Sequence, residues 1–153
     1  VYKRQLIELI KMQEELGTNV PMVMVGQAYG YPKQGVNTMT DERRAELTAA
    51  GVHIIHAAHA LSGAERGISR KFSGAYPVEI MAHTLRMFGQ GTKVCVEIAM
   101  MALDNGAIEF NKPVVCVGGS ARGADTACII TPAYTAGCLD TKIHEILCKP
   151  GLY

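Results

Sequence analysis

The 153-residue sequence has no C-x-x-C pair, no apolar run of membrane length and no excess of either charge. Fifteen Lys and Arg stand against fourteen Asp and Glu, a net charge of +1. That balance lacks the basic surplus on which phosphate-backbone binding draws, so nucleic acid is not expected as a partner. The richest apolar stretch, Val94 to Leu103, is broken by Glu97 and falls short of the ~20 residues that a span requires. A membrane is therefore not expected as a partner either, and no segment reads as a signal peptide. The five cysteines, Cys95, Cys116, Cys128, Cys138 and Cys148, are odd in number and scattered. They suggest neither a disulfide framework nor a zinc site, and the expected location is the cytoplasm. Cys116, Cys128 and Cys148 lie in strand-like apolar runs and are expected as small buried hydrophobes. G-x-S-x-G and Walker motifs are missing, and no cysteine stands beside an evident base, so hydrolase and nucleotide triphosphatase chemistry have no support.

What is present is 48% hydrophobic and 19% charged, the balance of one folded domain over residues 1–153. Leu6, Leu9, Ile10 and Leu16 predict a helix over 6–16, stopped by Gly17. An α/β domain seldom opens on a helix. A strand and its loop are therefore expected upstream, and VYKRQ at the start reads as non-native. Val20 to Val25 predicts a strand, and Gly26 to Thr40 a loop. Thr40 is a suitable N-cap for a helix over Asp41 to Ala50, ended by Gly51. Val52 to Ala57 predicts the next strand, and 58–76 is either a functional loop or conceals a short helix. Pro77 opens a helix whose apolar face is expected at Ile80, Met81, Thr84, Leu85 and Phe88. Thr92 to Asn105 is apolar nearly all round and is expected between other elements. Strands follow at Val114 to Val117, Thr126 to Thr131 and Ile143 to Cys148.

This alternation predicts an α/β fold, a three-layer α/β/α sandwich with a mostly parallel sheet. Eight residues, Gly118 to Asp125, are too few for a helical crossover, so the strand pair near the C-terminus is expected to be antiparallel.

Ligands in open α/β sheets gather beyond the carboxyl ends of the strands, which directs attention to three loops. In Gly118-Gly119-Ser120-Ala121-Arg122-Gly123-Ala124-Asp125-Thr126, three glycines, a hydroxyl and a guanidinium suit a phosphate or carboxylate. The same residues also suit a tight strand connection held by Arg122 and Asp125. Between His59 and Lys71, Ser62, Gly63, Glu65, Arg66, Ser69 and Arg70 make a candidate anion cradle, with Glu65 held ionised by its cations. Glu97, a carboxylate in an apolar helix, needs a partner or a raised pKa, and a loop arginine is the expected partner. His53 and His56 alternate across a strand, which argues against a metal trio with His59. His59 alone enters the loop. Tyr29 or Tyr31 offers a ring to a flat ligand.

HALSGAERGISRKFSGAYPVEIMAHTLRMFGQGTKVCVEIAMMALDNG followed by VGGSARGADTA resembles the small stand-alone proteins related to the C-terminal α/β domain of pyruvate kinase, over about 20–150. The resemblance implies that domain's fold without kinase activity, because the kinase chemistry belongs to a separate barrel of ~250 residues. It also implies a phosphorylated small ligand, flavin mononucleotide (FMN) first. The family's SG-x-x-R-x-IS pattern falls on Ser62, Gly63, Arg66, Ile68 and Ser69, its VEI on Val96, Glu97 and Ile98, and its GG-x-x-RGADTA on Gly118 to Ala127. The family's first strand and Ser/Thr-Gly loop have no counterpart before Leu6, and Gln27 and Ala28 stand where relatives carry histidines. Two other classes remain open under the resemblance: a flavin-dependent oxidoreductase using His59 or Glu97, and an effector-sensing module acting as a homo-oligomer.

Overall fold

A computed structural model describes residues 2–31, 33–120 and 123–151, with side chains from residue 6 onward. The expectation that residues 1–5 are non-native falls on Val1, outside the described residues, and on four residues described as backbone alone. The chain is mixed α/β. Helix α1 spans Tyr2–Leu16, and β1 (Met22–Gly26) follows. Helix α2 spans Asp41–Ala49, and β2 (Val52–His56) follows it. Three helices come next: α3 (Gly63–Phe72), α4 (Pro77–Arg86) and α5 (Gln90–Asp104). Strands β3 (Val114–Ser120) and β4 (Gly123–Thr131), a 3-10 segment (Thr135–Asp140) and β5 (Lys142–Cys148) complete the order.

Local chemistry explains most boundaries. Thr40 Oγ1 accepts the Arg43 N–H at 3.3 Å, and Asp41 and Glu42 sit in the first turn of α2, where the dipole favours them. Pro77 opens α4, where its missing N–H costs nothing. Residues 58–76 conceal a helix, α3. Gly63 and Gly67 lower its propensity, and its cations mask the period, yet Glu65 in the first turn and Arg70 and Lys71 in the last complement its dipole. The expected face of α4 is displaced. Val78, Met81, Ala82 and Leu85, at one helical spacing, pack inward, whereas Ile80 and Phe88 face solvent.

β1 and β2 form a parallel pair in which Gly26 stands opposite His56. β3, β4 and β5 form a separate antiparallel sheet with β4 in the middle. The antiparallel pair expected near the C-terminus is thus present, but the described strands alone do not make a mostly parallel sheet. The expected eight-residue connection is also shorter, because β3 runs to Ser120 and β4 begins at Gly123. Glycine allows this. A Cβ on Gly119 would overlap the Gly123 carbonyl across the hairpin, and one on Gly118 would crowd the Gly91 carbonyl and Val94 of α5.

α5 organises the core. It packs on β3, β4, β1 and α4, and eleven of its fifteen residues are buried. Cys95, Val96, Ala99 and Met100 meet Cys116, Cys128 and Ile130 of the sheet and Leu61 and Ala82 from the other side. Cys116 and Cys128, directly opposite in register, are buried as expected, but Cys148, the last residue of β5, is exposed. Desolvation pushes the Cys116 thiol up to about 12 and raises Cys95 and Cys128 as well. Among the described residues, no helix is long and apolar enough to cross a membrane.

Candidate functional site

Glu97 lies in the middle of α5 with 3% of its surface exposed. Its Oε1 accepts the Leu61 backbone N–H at 2.9 Å. Its Oε2 accepts from Lys93 Nζ at 2.5 Å and lies 3.4 Å from His59 Nδ1. The partner is therefore Lys93, one helical turn away, and not the loop arginine expected from sequence. The i, i+4 spacing carried that signal. Burial alone would raise the Glu97 carboxyl, but hydrogen bonds from His59, Lys93 and Leu61 outweigh it and hold the group at about 2. Burial lowers the Lys93 ammonium, helped by Arg86 and Arg66 and opposed by Glu97. Contact with an ionised carboxylate at 2.5 Å keeps the proton on Lys93.

These bonds fix the segment that leaves β2. Leu61 is buried, so its amide needs the Glu97 acceptor, and His59 is carried to the surface beside it. His59 lines a cleft of about 350 Å³ with Ala57, Ala58 and Ala60 of the same segment, Gly63 and Ala64 of the first turn of α3, and Met101 of α5. Asp104, Asn105 and Thr135 close the far side. Asp104 is already engaged by the Thr135 N–H at 3.0 Å and by its hydroxyl. The first-turn amides of α3 have no intrahelical acceptor, and the hydroxyl of its N-cap, Ser62, caps nothing. Small apolar walls, a helix N-terminus and an imidazole make this cleft the place where the described residues could hold a small molecule. A slightly larger hollow, about 410 Å³, lies at Phe110, Leu139 and Asp140, but no residue singled out in the sequence lines it.

The other predicted residues divide by role. Glu65 Oε1 accepts the Glu79 N–H at 2.8 Å, and Ser69 Oγ donates to Glu79 Oε1 at 2.7 Å, so both fasten α3 to α4 instead of lining a cradle. Arg70 and Lys71 stand at the C-terminal end of α3, the opposite end from Gly63, and Lys71 lies 5.5 Å from the Phe72 ring. Those two cations do not join the cleft. Arg66, half-buried on α3, lies near enough to Lys93 to lower it.

In the second segment, Thr126 is buried, and its Oγ1 donates to Asp125 Oδ1 at 2.7 Å. Both residues press on Gly91, where a Cβ would overlap Thr126. Ser120 and Gly123 are hairpin positions paired with each other. The close approaches at Gly118, Gly119 and Gly91 are thus filled by the protein itself, which favours the strand-connection reading over a glycine cradle. Arg122 and Ala121 lie outside the described residues. The Tyr29 ring meets His56 edge-on at 5.6 Å, and Tyr31 meets His59 at 6.4 Å. Sequence reasoning missed Lys93, Leu61 and the cleft wall at Met101 and Asp104. The chain matches no family model.

Proposed function

We propose that this chain is a non-kinase, cytoplasmic α/β domain that binds a phosphorylated small ligand, with FMN as the first candidate. The observation that carries this reading is the position of His59. It stands at the carboxyl end of β2, anchored from behind by the buried Lys93–Glu97 pair and facing a cleft bounded by the N-terminus of α3. In this reading the first-turn amides of α3 and the Ser62 hydroxyl take the phosphate, and the alanine wall takes the flat ring. Arg66 and Arg122 supply the charge that separates a phosphorylated ligand from its neutral analogue.

The resemblance to pyruvate kinase C-terminal domains supports the same reading and adds a finer one about the fold. Among the described residues, β1 and β3 each have one unpaired edge, both pack on α5, and neither strand carries a charged residue. The β4–β5 pairing, by contrast, has two register shifts, and β5 begins at Lys142 and is followed by Lys149, the marks of a guarded edge. Unguarded apolar edges on one helix support a single, mostly parallel sheet in a three-layer α/β/α sandwich. The His59–Glu97 contact also favours a second reading, a flavin-dependent oxidoreductase in which His59 meets the substrate.

The test is comparative binding. Arg66→Ala and Arg122→Ala should each weaken FMN far more than riboflavin. Equal losses for the two ligands would show that neither guanidinium reads a phosphate. A chain that takes up no FMN at all would overturn the ligand reading.

A further inference from the structure

The hydrogen bonds around Glu97 determine more than the position of His59. Glu97 Oε2 accepts from Lys93 Nζ at 2.5 Å and its Oε1 from the Leu61 N–H at 2.9 Å, so the carboxylate is held ionised without His59, and Oε2 faces His59 Nδ1 at 3.4 Å. A bare Nδ1 lone pair aimed at that oxygen would be repelled, so the ring must place its proton on Nδ1 and donate it to Glu97. In the neutral ring, Nε2 is then the unprotonated nitrogen. It lies on the opposite side of the imidazole from Glu97, the ring lines the cleft, and Nε2 has no hydrogen-bond partner among the described residues.

We propose that His59 is the proton-exchanging residue of this cleft and that Glu97, locked by Lys93 and the Leu61 amide, is its positioning residue. The inference rests on the cleft being the ligand site. The class of ligand follows from the vacant acceptor. It presents a weakly acidic N–H or O–H to Nε2 while its anionic end meets the first turn of α3. In the exchange, the ligand's N–H or O–H bond breaks, its electron pair stays on the ligand heteroatom, and a new N–H bond forms at Nε2. The resulting imidazolium is balanced by Glu97, which remains ionised throughout. Charged and titratable groups stand on each element around the ring, with Glu65 and Arg66 on α3. Glu97 and Lys93 lie behind it on α5, Tyr31 meets its edge from the loop after β1, and Asp104 stands at the far side of the cleft. Asp104 is occupied by Thr135, which leaves Nε2 as the open acceptor.

The tautomer is directly observable. Long-range ¹H–¹⁵N correlation on the ¹⁵N-labelled full chain, with the imidazole neutral, should show a pyrrole-type Nδ1 and a pyridine-type Nε2. Glu97→Gln replaces the acceptor with an amide able to donate to Nδ1, and the expected result is transfer of the ring proton to Nε2. An Nε2–H tautomer in the wild-type chain overturns the proposal, and so does an unchanged tautomer in folded Glu97→Gln. Should the variant fail to fold, the wild-type spectrum still decides. With FMN as the probe, the Nε2 resonance should shift on binding, and a bound state that leaves it unmoved also overturns the proposal. The tautomer is read without ligand, so its failure is distinct from a failure to bind FMN.

Discussion

Lys93 Nζ lies 2.5 Å from Glu97 Oε2, one turn apart on α5, with both residues almost wholly removed from solvent. An isolated pair of this kind is costly to bury and costly to break. Removing one partner leaves an uncompensated charge and typically costs about 3–5 kcal/mol, whereas replacing both with apolar residues is often close to neutral. Glu97→Leu and Lys93→Met are therefore each expected to be severely destabilising, with Lys93→Met/Glu97→Leu costing less than the sum of the two although it still leaves the Leu61 amide without its acceptor. Urea unfolding checks this. Additive losses in the double variant would mean that the pair is not coupled.

Acid should act through the same carboxyl. Glu97 is held at about 2 in the folded chain against an ordinary 4.5. A depressed carboxyl stabilises fully above the unfolded value, and its contribution is lost as pH falls from 4.5 towards 2. The expected size is about 3 kcal/mol, at ~1.4 kcal/mol per pH unit. Thermal unfolding followed across that window should fall steeply in the wild type and much less in Glu97→Gln. Parallel curves would assign acid sensitivity to other groups.

Glycines at two places should answer oppositely to alanine. Gly67 lies inside α3 with open space around its Cβ position, so Gly67→Ala should stabilise by about 0.5–1 kcal/mol. Gly91→Ala would drive a methyl into Thr126 and Asp125 and should destabilise by about 1–3 kcal/mol or more. Chemical denaturation of the two variants settles the contrast, and a harmless Gly91→Ala would deny the close approach of α5 to β4.

Thiol reactivity should sort the cysteines by burial. Cys148 is exposed and Cys138 half-buried, while Cys95, Cys116 and Cys128 are buried with raised pKa values. A chromogenic disulfide reagent is expected to titrate Cys148 fast, Cys138 more slowly and the other three only on unfolding. Rapid reaction of all five in the native chain would contradict the core packing.

Much of the fold is legible in the sequence where one force dominates. The all-round apolar character of 92–105 announces a helix with neighbours on several sides, and α5 has them. Eight residues between two apolar runs exclude a helical crossover, and β3 and β4 are antiparallel. α3 is hard to read because Gly63 and Gly67 argue against a helix locally, and its contacts with α4 come from Glu65 and Ser69 through Glu79, a tertiary effect. The glycines of 118–123 announce close backbone approach without saying to what, and the approach is to protein. For the site, Glu97 stands out as a charge in an apolar run. Lys93 does not, because a lysine at a helix start reads as a solvated residue until packing buries it.

The ligand reading is tested most directly by titrating FMN and riboflavin into the full chain, following flavin fluorescence and backbone amide resonances together. FMN is expected to bind at least about tenfold more tightly than riboflavin, a difference of ~1.4 kcal/mol, and to shift the amides of His59, Ser62 and Gly63. Equal affinities, no uptake of FMN, or shifts confined to the hollow at Phe110 and Leu139 would contradict it.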